Sequence, residues 1–211
     1  MYFNSLRFVP ANLAWTIVVL AVLFAAINWP PAVLLGVLVA VPIVGMHRMA
    51  ALLTRGEPTS ISDFLDGMRR FGLAAAGITA GVAILGVVLV TNVVTGFGSS
   101  SPLGWFVGAT ALWGLVALAM AVVAIWPVLV DPRREDRPLR RRLQLAGLVV
   151  IGRPGRLFVL TLLIAAILVV STALLGVIVL VGVAYASLLA TRWVLPAVDE
   201  LESRFEAARA R

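Results

Sequence analysis

Three long runs without a formal charge dominate this chain: Phe8 to Met46, Phe71 to Val130 and Leu157 to Thr191. An α-helix rises about 1.5 Å per residue, so about 20 apolar residues cross the roughly 30 Å hydrocarbon core of a bilayer. Each run is too long for one crossing and suits two, with an uncharged breaker near its middle. In the first, Asn28-Trp29-Pro30-Pro31 ends one helix and can start the next. In the second, Gly96-Phe97-Gly98-Ser99-Ser100-Ser101-Pro102 reads as a loop. The third offers only Ser171-Thr172 and Gly176, and its halves sit near the lower limit of about 17 residues for spanning. The expected fold is all-α. It is a polytopic membrane helix bundle with six transmembrane helices as three hairpins, over residues 11–28, 32–53, 71–95, 104–130, 155–171 and 174–195 of a single membrane domain, 1–211.

Composition agrees. Hydrophobic residues make up 62% and charged residues 13%, against about half and a quarter in soluble domains. The mean hydropathy is +1.06. Such a chain cannot cover itself with polar surface in water, so the lipid bilayer is its expected surroundings. It has no cysteine, which removes disulfides, thiolate metal sites and a cysteine nucleophile.

All seventeen basic residues are arginine, which with abundant Ala, Val, Leu and Gly fits a bacterial genome rich in G and C. The formal charge of +7 raises the idea of nucleic-acid binding, but the placement of the arginines opposes it. Arg7 precedes the first hairpin, and Arg48, Arg55, Arg69 and Arg70 follow it. Arg133, Arg134, Arg137, Arg140, Arg141, Arg142, Arg153 and Arg156 separate the second hairpin from the third, and Arg192, Arg204, Arg209 and Arg211 close the chain. All of them fall on one face of a six-span bundle, and the outer loops carry none. By the positive-inside rule that face is cytoplasmic. The expectation is a bacterial plasma membrane protein with both termini inside and no nucleic-acid partner. Rival counts misplace charge: a single helix of about 52 Å for the third run would overshoot the core and export the basic tail. Trp29 and Trp105 fall at the outer boundary and Trp126 and Trp193 near the inner one, Trp15 lies toward the inner face, and Trp113 is expected to pack deeper. The first helix reads as a retained span rather than a signal peptide, because only Arg7 precedes it and no clean A-x-A site comes before the double proline.

Two cytoplasmic interfacial helices are expected. Over residues 60–70, Ser60 with Asp63 resembles a capping box, and Ile61, Phe64, Leu65 and Met68 share one face. Over residues 138–151, Leu139, Leu143, Ala146 and Val150 form a stripe opposite Arg140, Arg141, Arg142 and Gln144. Residues 196–211 form a cytoplasmic tail in which Glu200 pairs with Arg204 at i+4. Phe64, Arg69, Arg70, Arg140, Arg141 and Arg142 are the candidate cytoplasmic interaction face, although topology alone accounts for the arginines.

The chain resembles the YesL-like bacterial membrane protein family, whose function is not established. The likeness lies in Asn12-Leu13-Ala14-Trp15, Pro42-Ile43-Val44-Gly45, Met49-Ala50-Ala51-Leu52 and Arg55-Gly56-Glu57. It continues through Asp63-Phe64-Leu65-Asp66-Gly67-Met68-Arg69-Arg70-Phe71, with Arg153-Pro154-Gly155-Arg156 similar further on. Members are often encoded beside carbohydrate-uptake systems. The resemblance therefore implies an accessory role with a sugar permease or other membrane protein as partner, and it carries over no catalytic residue.

A charge at mid-bilayer costs about 2.5–3.5 kcal/mol or more, so buried ionisable residues mark proton relays and ion pathways. The charge-free runs hold none, which argues against a proton-coupled transporter or an intramembrane protease. His47, the only histidine, is expected at the interface beside Arg48. No catalytic, cofactor-binding or metal-binding motif stands out. Thr79, Thr91, Asn92, Thr95, Thr110, Thr161, Tyr185 and Ser187 read as interhelical hydrogen bonders, and the alternative is a neutral, hydroxyl-lined path through a small transporter or channel subunit. Gly77-x-x-x-Gly81 and Gly104-x-x-x-Gly108 are candidate helix-packing positions, between the third and fourth spans or in a homodimer. Pro42, followed by Gly45, is expected to kink the second span.

Overall fold

In the computed structural model, which describes residues 7–174 and 181–209, the first two expected breakers end helices, at Asn28 and at Gly98. Helix α1, Phe8–Asn28, stops at Trp29, whose extended backbone leads into the double proline. A ten-residue 3₁₀ segment, Pro30–Val39, then runs directly into α2, Ala40–Thr54. Pro42, expected to kink the second span, falls in the first turn of α2, just beyond the change from 3₁₀ to α-helix.

Helix α3, Ile61–Gly98, is a single 38-residue rod. Its start is fixed by Asp63, whose carboxylate accepts from the Ser60 N–H at 2.7 Å and the Ser60 hydroxyl at 2.8 Å. The expected interfacial helix is thus the beginning of the span, because no breaker separates Met68 from Phe71. Its apolar stripe is split, with Ile61 and Leu65 exposed and Phe64 turned inward. Phe64 is buried against Gly45, and Gly67 lies against the Arg48 stem, so this end of α3 packs on α2. Helix α4, Pro102–Leu129, is capped by Ser101, which accepts from the Gly104 N–H at 3.0 Å. The α3–α4 turn is closed by Trp105, whose indole N–H donates to the Ser99 carbonyl at 3.1 Å.

A short 3₁₀ turn, Pro132–Arg134, leads to α5, Leu139–Gly152, then α6, Pro154–Ala173, and α7, Val183–Arg209. The buried side of α5 comprises Arg142, Leu145, Ala146 and Val149, whereas Leu139 is exposed. The expected stripe was therefore rotated, with Arg142 on the wrong side of it. The turn expected around Gly176 lies outside the described residues. The expected end of the last span and the tail are one continuous helix that passes through Pro196.

Among the described residues five helical segments are long and apolar enough to cross a membrane: Phe8–Asn28, Pro30–Thr54, Ile61–Gly98, Pro102–Leu129 and Pro154–Ala173. The described part of α7 is not one of them, yet it holds the bundle together. Val194, Ala197 and Val198 pack with α4, α5 and α6. Leu195 joins the cluster of α2, α3 and α4, and Val183 with Ala184 joins that of α1, α2 and α3. All three clusters lie toward one end of the bundle. At the other end apolar side chains point outward, with Ile27 at 81% and Leu34 at 75% exposure. Trp113, expected to pack, is 69% exposed. Apolar helices exposed in this way belong in lipid, and with five of them the chain is a multi-pass membrane protein.

The glycine motifs divide. Gly96 lies against Gly104 and Gly108 where α3 and α4 approach most closely, but nothing within 4 Å of a Cβ at Gly77 or Gly81 is present. Among the described residues those two positions face open space.

Candidate functional site: an ion network at one end of the bundle

Polar side chains converge where α2 ends, α3 begins and α4 turns into α5. Arg55, just beyond α2, donates to Asp131 at 2.6 Å and to Asp199 of α7 at 2.5 Å. Arg134 pairs with Asp131, reaches Asp199 at 2.6 Å and meets Glu202 at 2.5 Å. Arg137 adds a second contact to Glu202. Asp131 is fully buried, and the Arg55 and Arg134 side chains are only 7% and 3% exposed. A carboxylate in such a place needs cations and donors on all sides, and Asp131 has both.

A second layer caps α4. The last carbonyls of a helix lack intrahelical donors and carry the negative end of its dipole. Arg142 donates to the Leu129 carbonyl at 2.7 Å, to the Arg137 carbonyl at 2.9 Å and to the Glu135 carbonyl. Arg48 donates to the Val130 carbonyl at 2.9 Å and to the Glu135 carboxylate at 3.1 Å. Both guanidinium groups also lie over the Phe71 ring, at 6.0 and 5.5 Å from its centre. Arg70 completes the layer, bound to Asp66 and Glu135 at 2.7 Å each. Burial draws the Arg142 guanidinium below its ordinary value.

These placements revise the candidate interaction face. Phe64 and Arg142 are buried, so neither presents itself to a partner. Arg70 is spoken for by two carboxylates. Arg69, Arg140 and Arg141 remain exposed. His47 is buried too, with Nδ1–H donating to the Ile43 carbonyl at 3.0 Å, rather than sitting at an open interface. Asn12 is the polar residue that inspection of the runs passed over. Its side-chain oxygen accepts the Ala184 N–H at 3.1 Å and ties α1 to α7. The available signal was its spacing, since Phe8, Asn12 and Thr16 recur at i, i+4 and i+8 and all three are buried.

The carboxylates of this network are committed to arginines, so its chemistry is that of a rigid clasp. Burial disfavours charge on Asp199 and Glu135, yet hydrogen bonds from Arg55 and Arg134 to the first, and from Arg70 and Arg48 to the second, hold both below the usual carboxylate range. A depressed folded pKa stabilises the fold above the unfolded value and is lost as pH falls through the folded one. Thermal melting in detergent should therefore be flat from neutral pH down to about 4.5 and should fall steeply below it. An Asp199→Asn variant should show a smaller acid loss, and an identical profile would disprove the linkage.

Among the described residues no group of three or more His, Cys, Asp or Glu side chains could hold a metal ion. The bundle and its clasp define the class, a helical multi-pass membrane protein. No protein-family model, curated protein or solved structure matches the chain.

Proposed function

We propose that this is a non-enzymatic membrane protein that assists or regulates a carbohydrate-uptake system through its arginine-rich face. That face is cytoplasmic by the positive-inside rule, with both termini inside a bacterial plasma membrane and a sixth crossing completed by α7. The observation that carries this reading is the clasp. It holds the α2–α3 and α4–α5 connections in one shape while Arg69, Arg140 and Arg141 stay exposed beside it. A fixed surface with unspent charge suits recognition of a partner. The link to sugar uptake rests on the resemblance to the YesL-like family. The open α3 face at Gly77 and Gly81 is where a second copy would pack in a homodimer.

The rival, a transporter or channel subunit with a hydroxyl-lined path, draws little support from where the hydroxyls go. Thr95, Thr110, Thr161 and Thr172 each donate to the carbonyl four residues back on their own helix. The deciding experiment is affinity purification of the full chain from its native membrane, with reconstitution alone in liposomes as the counter-test. A sugar permease should co-purify, and the Arg140→Gln/Arg141→Gln variant should recover several-fold less of it. Sugar flux from the protein alone, with no permease bound, would sink this reading.

A further inference from the structure

Between the start of α6 and the middle of α7 lies a cavity of about 310 Å³ lined by Arg153, Arg156, Arg192, Trp193 and Glu200. It differs in kind from the clasp, where every carboxylate is matched by an arginine. Here Glu200 is already bound by Arg153 and, at 2.7 Å, by Arg204. Arg156 and Arg192 have no carboxylate partner among the described residues. Arg156 lies over the Trp193 ring, 5.9 Å from its centre. Helix α6 begins at Pro154, so its positive end opens at the same place. Beyond the cavity the outward side of α6 is apolar and open, with Val159, Leu162 and Leu163 all exposed.

Unspent cations, a helix N-terminus, an interfacial tryptophan and an exposed apolar helix side together match one kind of ligand. We infer that this cavity binds the phosphate headgroup of an anionic phospholipid from the adjoining leaflet, with its acyl chains along the apolar side of α6. Free phosphate shares the headgroup chemistry, but it has no use for the exposed apolar side of α6 or for a position at the bilayer boundary. The inference rests on the membrane location and not on the partner proposed above.

The test is native mass spectrometry and thermal melting of the full chain in detergent, with added phosphatidylglycerol, phosphatidylcholine or inorganic phosphate. Phosphatidylglycerol should be retained preferentially and should raise the melting temperature. Each arginine near an anionic lipid contributes about 1 kcal/mol, so Arg156→Gln/Arg192→Gln should weaken apparent affinity roughly 30-fold. Arg192→Gln alone, which removes an exposed side chain with no ion pair, should weaken it about fivefold and guards against a folding defect in the double variant. Arg140→Gln/Arg141→Gln should leave lipid selectivity intact while lowering permease recovery, which separates the two proposals. Equal retention of phosphatidylcholine, equal loss in the Arg140/Arg141 variant, or equal stabilisation by inorganic phosphate would overturn the assignment.

Discussion

Asp131→Asn should cost about 3–5 kcal/mol of stability, far more than any surface charge of this protein. Asp131 is fully buried between Arg55 and Arg134, which are themselves almost inaccessible. Removing its charge leaves two guanidinium groups out of water with only Asp199 and Glu202 to share. The Coulomb attraction that offset their desolvation is gone, while the desolvation remains. Asp66→Asn is the matched comparison. It also breaks an arginine pair, but Asp66 is 36% exposed and Arg70 is 56% exposed, and such pairs contribute about 0–1 kcal/mol. Melting of the purified protein should separate the two variants clearly. Equal losses would mean that Asp131 is not the centre of the clasp.

Gly96→Ala should open the α3–α4 contact. A Cβ there would sit 2.5 Å from the Gly108 nitrogen and 2.7 Å from the Gly104 carbonyl oxygen. Both neighbours are backbone, so no side chain can turn aside and the helices must separate. Overpacking of this sort costs about 1–3 kcal/mol, and more when whole helices have to shift. Gly77→Ala adds the same methyl to the same helix in open space. In the monomer, where α3 is open at that point, it should be neutral or stabilising by up to about 1 kcal/mol, through helix propensity alone. If the two variants melt alike, the close approach at Gly96 does not exist.

The two experiments concern features that differ in how far they could be read in advance. Gly104 and Gly108 were marked by their spacing, and they do pack. Gly77 and Gly81 have the same spacing and face open space among the described residues, because a small-residue repeat states only that a helix can be approached closely. Gly96, their true counterpart, falls in a segment that reads as loop, and it is the last turn of α3 that holds it against α4. Arg142 is a similar case. Its position among three consecutive arginines fits a solvated face, yet the unsatisfied carbonyls at the end of α4 draw it inward and turn α5 with it. The fusion of the first interfacial helix with its span follows from a missing breaker, although the stripe over residues 60–70 reads as a helix of its own.

What the amino-acid order settled alone is the solvent and the polarity of the chain. Hydrophobic length and the absence of charge are local and additive, so runs suited to lipid, and the band of arginines between them, can be counted residue by residue. Which arginines are spent and which remain free was decided by the tertiary structure. Arg55 and Asp199 meet across 144 positions. Such a pairing depends on where several helices cross, and no local pattern records it.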